Sequence, residues 1–293
     1  MDAKGAFERY EQVRGRLPDA LFPARSRRID SLLGIADMAD VFVFDAYGVL
    51  NVGERAIAGA AACIGELRAI GKRVFVLSNS ASHTKAQMVA RFAGLGFDFT
   101  ADEIISSRDA ALDHVAGVPD VGRWGVIAPV HFQPTEVPFD VLVLGDDPAD
   151  YDPVEGFLFL GAALWTAARQ AMLIAALQAA PRPVVIANPD LVAPRETGLS
   201  LDPGYYGHAI ADVTRVMPTF LGKPFAPVFQ RVPVEPSARV VMVGDTLHTD
   251  ILGGAAQGWK TVLVTDHGLF RGLDVAPFIT VSGIVPDWQL GAI

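Results

Sequence analysis

The chain has 293 residues, 51% of them hydrophobic, so it can bury a sizeable core and wholesale disorder is excluded. Acidic residues outnumber basic ones, 33 to 24, for a net charge of −9 with no block of like charge, which excludes a basic nucleic-acid footprint. One cysteine, Cys63, excludes an intrachain disulfide framework and a cysteine-built zinc cage.

The N-terminal stretch MDAKGAFERYEQVRGRLP has no apolar run of signal-peptide type. With Arg25, Arg27 and Arg28 behind it, it reads as a solvated charged helix and linker, an anion-binding arm being the alternative. Residues 41–45, VFVFD, form a buried strand of β-branched and aromatic residues without polar alternation. A helical pattern over 56–70 ends at Gly71, a second buried strand spans 73–80, and a second helix over 84–95 ends at Gly96. The middle of the chain carries strands at 124–128 and 139–145. The apolar stretch 157–180 is long enough to span a bilayer, but Arg169 and Gln170 interrupt it, so it reads as a buried helix. A strand at 183–190 and a helix at 206–216 follow. Strand 238–245, helix 247–257 and strand 260–266 then restore the earlier pattern.

This alternation implies an α/β protein whose parallel sheet is covered on both faces. The expected organisation is an N-terminal extension (1–30), a core domain from 31–119 and 217–293, and a second α/β domain (120–216) inserted into it. No membrane or nucleic-acid partner is expected, and the chain reads as cytoplasmic.

Ligands of such a sheet bind at the carboxyl ends of its strands. There the first strand delivers Asp45, the second Ser78 and Asn79, and the strand after the insertion delivers Asp245, with Asp250 five residues on. A GKP turn places Lys223 just before that last unit. Any one strand ending in Asp, Ser or Gly is ordinary turn chemistry. All of them together suit a hard cation such as Mg²⁺ beside a phosphate, with Asp45 as nucleophile, Ser78 as hydroxyl donor and Lys223 as neutralising charge.

FDAYGVL at 44–50, LSNS at 77–80, GKP at 222–224 and VGDTLHTDILGG at 243–254 resemble the four ordered motifs of the haloacid dehalogenase (HAD) superfamily. The last motif, and ANPD at 187–190, are similar to those of the subclass IIA, NagD-like phosphatases. The resemblance covers roughly residues 35 to 270. It implies a HAD-type Rossmann-like core with an inserted α/β cap, and a Mg²⁺-dependent phosphatase acting on a small phosphorylated metabolite such as a sugar phosphate through an aspartyl-phosphate on Asp45. The metal ligands it implies are Asp45, the main-chain carbonyl of Tyr47, Asp245, and Asp250 as ligand or support. Ser78 and Asn79 then bind substrate with Asn188 and Asp190 of the cap, Lys223 stabilises the phosphoryl group, and the cap allows a homodimer.

One position departs from the pattern. Phosphatases of this superfamily usually carry Asp two residues after the nucleophile as acid and base, and here it is Tyr47. A phenol, ordinarily ionising near about 10, can donate a proton but activates water poorly at neutral pH. Asp-x-Tyr also resembles the first motif of the metal-independent 2-haloacid dehalogenases, so that activity is one alternative. A phosphometabolite-binding protein with little turnover is the other. His248 and His83 are candidate replacement bases, read otherwise as an exposed helical-turn residue and a loop residue; His208, Tyr205 and Tyr206 read as cap packing.

Overall fold

The protein is described by a computed structural model over residues 1–195 and 198–293. Val41–Phe44 is buried along its whole length and lies in the interior of a seven-stranded sheet. The strand order is Arg27–Arg28, Trp288–Leu290, Lys260–Val264, Val240–Gly244, Val41–Phe44, Arg73–Ser78, Ile104–Ser106, and every pairing is parallel. Both faces of this central strand are apolar. Phe42 and Phe44 pack with Ile64, Met88 and Phe92 on one side, and Val41 and Val43 with Phe229 and Met242 on the other. Such burial on two faces is why the strand reads as a continuous hydrophobic run.

Register then places the chemistry. Phe44 is paired with Val243 on one side and Val76 on the other, so Asp45, Asp245 and Ser78 leave the sheet within about one residue of the same level.

A second parallel sheet, ordered Thr219–Phe220, Val184–Ile186, Gly156–Phe159, Arg123–Ile127, Asp140–Val143, is built from the chain between the core strands Ile104–Ser106 and Val240–Gly244. Its edge strand Thr219–Phe220 lies past residue 216. An antiparallel hairpin, Val192–Arg195 with Gly198–Leu201, follows the ANPD segment.

Several expectations are corrected. Residues 157–180 are not one helix: Gly156–Phe159 is a buried strand, and the helix is Ala167–Ala179, capped by Thr166. A short apolar run fits a buried strand and a helix equally well, and periodicity does not separate them. Arg169 sits in that helix's first turn, paired with Asp146. The first core helix is Ala60–Ala69, because Arg55–Ala56 pairs in a small hairpin with Asn51–Val52; the last cap helix is Pro203–Val213. The 247–257 segment opens with a wide π-helical turn, Leu247–Ile251. The N-terminal segment is not a solvated arm. Helix Ala3–Gln12 buries Ala6, Phe7 and Tyr10, and Arg27–Arg28 joins the core sheet as an edge strand. Among the described residues no helix is long and apolar enough to cross a membrane.

Candidate active site

Asp45 stands at the carboxyl end of the central strand with its side chain 13% exposed, and its backbone N–H donates to Val243 (2.8 Å). Its Oδ1 accepts from the Nζ of Lys223, and that ammonium also lies 2.8 Å from Oδ1 of Asp250. Asn79 fixes Lys223 from both sides: Oδ1 accepts the Lys223 N–H at 2.7 Å, and Nδ2 donates to the Lys223 carbonyl at 3.0 Å. The same Nδ2 donates to Oδ1 of Asp190 (2.9 Å), which joins the ANPD segment to the core. Asn188 accepts the Asp190 N–H at 2.9 Å and donates to Asp202 at 2.7 Å. Ser78 is buried, and its Oγ accepts the N–H of Ser80.

Asp245 is held by hydrogen bonds to both of its carboxylate oxygens. Its Oδ1 accepts from the Thr246 hydroxyl (3.2 Å) and its Oδ2 from the Leu269 N–H (2.7 Å). Two glycines let the chain close around it. Gly48 has φ +80°, and a Cβ there would stand 2.8 Å from the Asp245 carboxylate; a Cβ on Gly268 would stand 2.0 Å from Oδ2. Asp250 accepts the N–H groups of Asp245 and Thr246 on Oδ2, both at 3.1 Å, while its Oδ1 faces Lys223. Asp250 thus bridges the Asp245–Thr246 loop and the Lys223 ammonium.

Burial and mutual repulsion set the electrostatics. Burial, then the charge of Asp250, push Asp45 up to about 6 against the pull of Lys223. Burial, then Asp250 and Asp45, push Asp245 up to about 8. Burial alone would depress Lys223, but Asp250, Asp45 and Asp190 outweigh it and raise its pKa. Carboxylate oxygens of Asp45, Asp245 and Asp250 lie within 4.8 Å of one another. Among the described residues one lysine faces three carboxylates, so when all three are ionised two negative charges are uncompensated, the charge a divalent cation brings. An all-oxygen donor set fits a hard one.

All the expected site residues except Asp250 line one cavity of about 370 Å³, and Asp250 lies behind Asp245. Tyr47 is on that wall, with the Arg91 guanidinium 4.9 Å from the centre of its ring. His83 also lines the cavity, its Nδ1 3.2 Å from the Ser80 hydroxyl. His248 does not, and its reading as exposed is corrected: it is 1% exposed, pairs with Glu11 and stacks on Tyr10. His208 is fully buried against Phe220. Sequence reading missed Tyr10, Asp202 and Leu269, which join the site only through the tertiary fold. The small residue at Gly268, just after a strand end, was the one signal available for the last.

Residues 42–134 match a haloacid dehalogenase-like hydrolase family model, and residues 220–281 match a HAD-hydrolase-like one. Chronophin of Rattus norvegicus is 31% identical over 80% of this chain and 78% of its own length. The chain belongs to the haloacid dehalogenase-like hydrolases, in their phosphatase family. Glycerol-3-phosphate phosphatase of Gallus gallus is 28% identical over 92% of this HAD hydrolase and 95% of its own length. A solved structure described as a possible sugar phosphatase of the HAD superfamily, from Cytophaga hutchinsonii, superposes with a TM-score of 0.79 at 26% identity, covering 91% of this chain and 98% of that one.

Proposed function

We propose that this HAD hydrolase cleaves a small phosphate monoester, such as a polyol or sugar phosphate, by way of an aspartyl-phosphate on Asp45. The observation that carries this reading is the Asp45–Lys223 pair on the cavity wall, beside Asp245 and Asp250, with two negative charges left over. Mg²⁺ is the cation we assign there, held by Asp45, Asp245 and the main-chain carbonyl of Tyr47. When bound it supplies positive charge to the phosphoryl oxygens and to the cluster.

The chain's own residues divide the remaining work. Asp45, ionised and paired with Lys223 through Oδ1, attacks phosphorus with its other oxygen as the bond to the alcohol oxygen breaks. Ser78 and Lys223, which line the same cavity as Asp45, donate to the phosphoryl oxygens. A proton passes to the departing alcohol, and water then attacks phosphorus and releases phosphate, regenerating Asp45. Tyr47 occupies the acid/base position of this scheme: its hydroxyl is a proton donor for the first half and a weak acceptor for the second.

A panel of phosphate esters assayed with Mg²⁺ and again with EDTA tests the proposal. Hydrolysis that is lost with the chelator is the expected result. Activity on 2-haloacids surviving EDTA would move the dehalogenase reading ahead. Stabilisation by Mg²⁺ and a sugar phosphate without turnover would point instead to a binding protein.

A further inference from the structure

The N-terminal helix Ala3–Gln12 is fastened on two sides. Towards the core, Phe7 meets His248 and Phe278 edge-on, Tyr10 stacks flat on His248 with ring centres 4.8 Å apart, and Glu11 holds the His248 ring nitrogen. Towards the cap, Arg9 and Arg16 both grip Asp212 on helix Pro203–Val213, and Arg16 donates to the His208 carbonyl at 3.1 Å. Between these attachments lies Tyr10. It is 2% exposed to solvent, yet its side chain belongs to the same cavity wall as Asp45.

The chemistry around its hydroxyl is specific. The Leu191 N–H, next to Asp190, donates to the Tyr10 oxygen at 3.1 Å, and in accepting that bond the hydroxyl keeps its own proton to give. Burial, then the negative charge of Asp190, hold the phenol well above its usual range, so it stays a donor at any physiological pH. Asn188, Asp190 and Asp202 share this part of the cavity and offer mainly acceptors. A polar wall of this kind, with the Tyr10 hydroxyl proton still to give, complements hydroxyl groups on the organic half of a substrate better than the face of an aryl ring.

We infer that the N-terminal helix is a wall of the active site, and that Tyr10 is a specificity-determining residue donating its hydroxyl proton to an oxygen on the alcohol portion of a polyol or sugar phosphate. This rests on the phosphatase reading above.

The test compares glycerol 3-phosphate with p-nitrophenyl phosphate in the native protein and in Tyr10→Phe. The substitution keeps the stack on His248 and removes only the hydroxyl. Losing one neutral hydrogen bond to substrate should raise KM for glycerol 3-phosphate about fivefold relative to KM for p-nitrophenyl phosphate, with the kcat ratio little moved. Equal changes for both substrates would mean that Tyr10 only steadies Leu191, and would overturn the inference, as would no change in either. If the native protein hydrolyses neither compound, the phosphatase reading fails on that result. Tyr10 is then judged by titration calorimetry of glycerol 3-phosphate and phenyl phosphate in the presence of Mg²⁺. A selective loss of glycerol 3-phosphate affinity in Tyr10→Phe upholds the assignment. Equal affinities, or no binding of either ligand, overturn it.

Discussion

Oδ1 of Asp250 lies 2.8 Å from Nζ of Lys223, with the two side chains 1% and 2% exposed. Because the other Asp250 oxygen holds the N–H groups of Asp245 and Thr246, this ion pair ties the lysine that faces Asp45 to the loop that carries Asp245. The site is thus one electrostatic unit built from three separate chain segments.

Removing its lysine should be felt twice. Lys223→Met leaves Asp45 and Asp250 buried without their partner, and breaking a buried pair from one side costs about 3–5 kcal/mol. Thermal unfolding in EDTA should fall accordingly, and added Mg²⁺ should recover more stability in the variant than in the native protein. Phosphate-ester turnover should drop at least about 10²-fold, the usual effect of losing one preorganised donor. A folded variant within tenfold of native kcat would remove Lys223 from the chemistry.

Gly268→Ala tests the cradle around Asp245. The new Cβ would stand 2.0 Å from Oδ2, the oxygen that also accepts the Leu269 N–H, so the carboxylate or the loop must shift. The Mg²⁺ concentration needed for half-activity should rise several-fold. Gly94→Ala is the control: it lies in helix Lys85–Gly94, and a Cβ there meets nothing within 4 Å. It should leave the metal titration unchanged and stabilise the fold by up to about 1 kcal/mol. Identical metal titrations in the two variants would show that Asp245 does not bind the cation.

His208 gives the cap an acid sensitivity. Neither ring nitrogen has a hydrogen-bond partner among the described residues, and the ring lies on Phe220 with centres 4.6 Å apart. Burial first, then Arg16 and Arg9, lower its pKa to about 4, with Asp212 opposing them. A depressed histidine pKa means that the folded state binds the proton more weakly than the unfolded one. The associated stability is complete above about 6.5 and is lost as pH falls towards 4, at up to about 1.4 kcal/mol per pH unit. His208→Phe keeps the stack and removes the proton site. Its thermal midpoint should fall less between pH 7 and pH 5 than that of the native protein; parallel curves would place the acid sensitivity elsewhere.

How much of this was readable in the sequence depends on the range of the interaction. The 41–45 strand and the residues at its exit were legible because burial on both faces leaves an unbroken apolar run ending in Asp45. The motif order was legible because each motif is local. The burial of His248 was not, since the groups that cover it, Tyr10 and Glu11, come from a helix about 237 positions earlier in the chain. The signal for that helix was nevertheless present: Ala6, Phe7, Tyr10, Val13 and Leu17 form a helical stripe, and all are buried. Its charged residues suggested solvent, and the stripe outweighs them. The 157–180 segment failed for the opposite reason, because an apolar strand joined to an Ala-rich helix leaves no change of hydropathy at the boundary.

The last prediction concerns Tyr47. If an otherwise competent phosphatase site lacks only its acid/base carboxylate, Tyr47→Asp should raise hydrolysis, most for alkyl phosphates whose leaving groups need a proton and less for aryl phosphates. General acid–base assistance sets a ceiling of about 10²–10⁴-fold. The surroundings work against the full gain. Arg91, now over the Tyr47 ring and paired with Glu54, would meet the new carboxylate and hold it ionised, which favours the water-activating step over proton donation. The gain in Tyr47→Asp should therefore be partial. Adding Arg91→Gln should enlarge it for alkyl phosphates specifically, by letting the carboxyl keep a proton. Steady-state rates on glycerol 3-phosphate and p-nitrophenyl phosphate, with burst measurements to locate the slow step, separate the two contributions. A folded Tyr47→Asp protein that is stabilised by Mg²⁺ and gains nothing on any alkyl phosphate, with or without Arg91→Gln, would mean that Tyr47 is not a handicap on phosphate hydrolysis. The dehalogenase alternative, in which a tyrosine beside the nucleophile is expected, would then gain the ground this site loses.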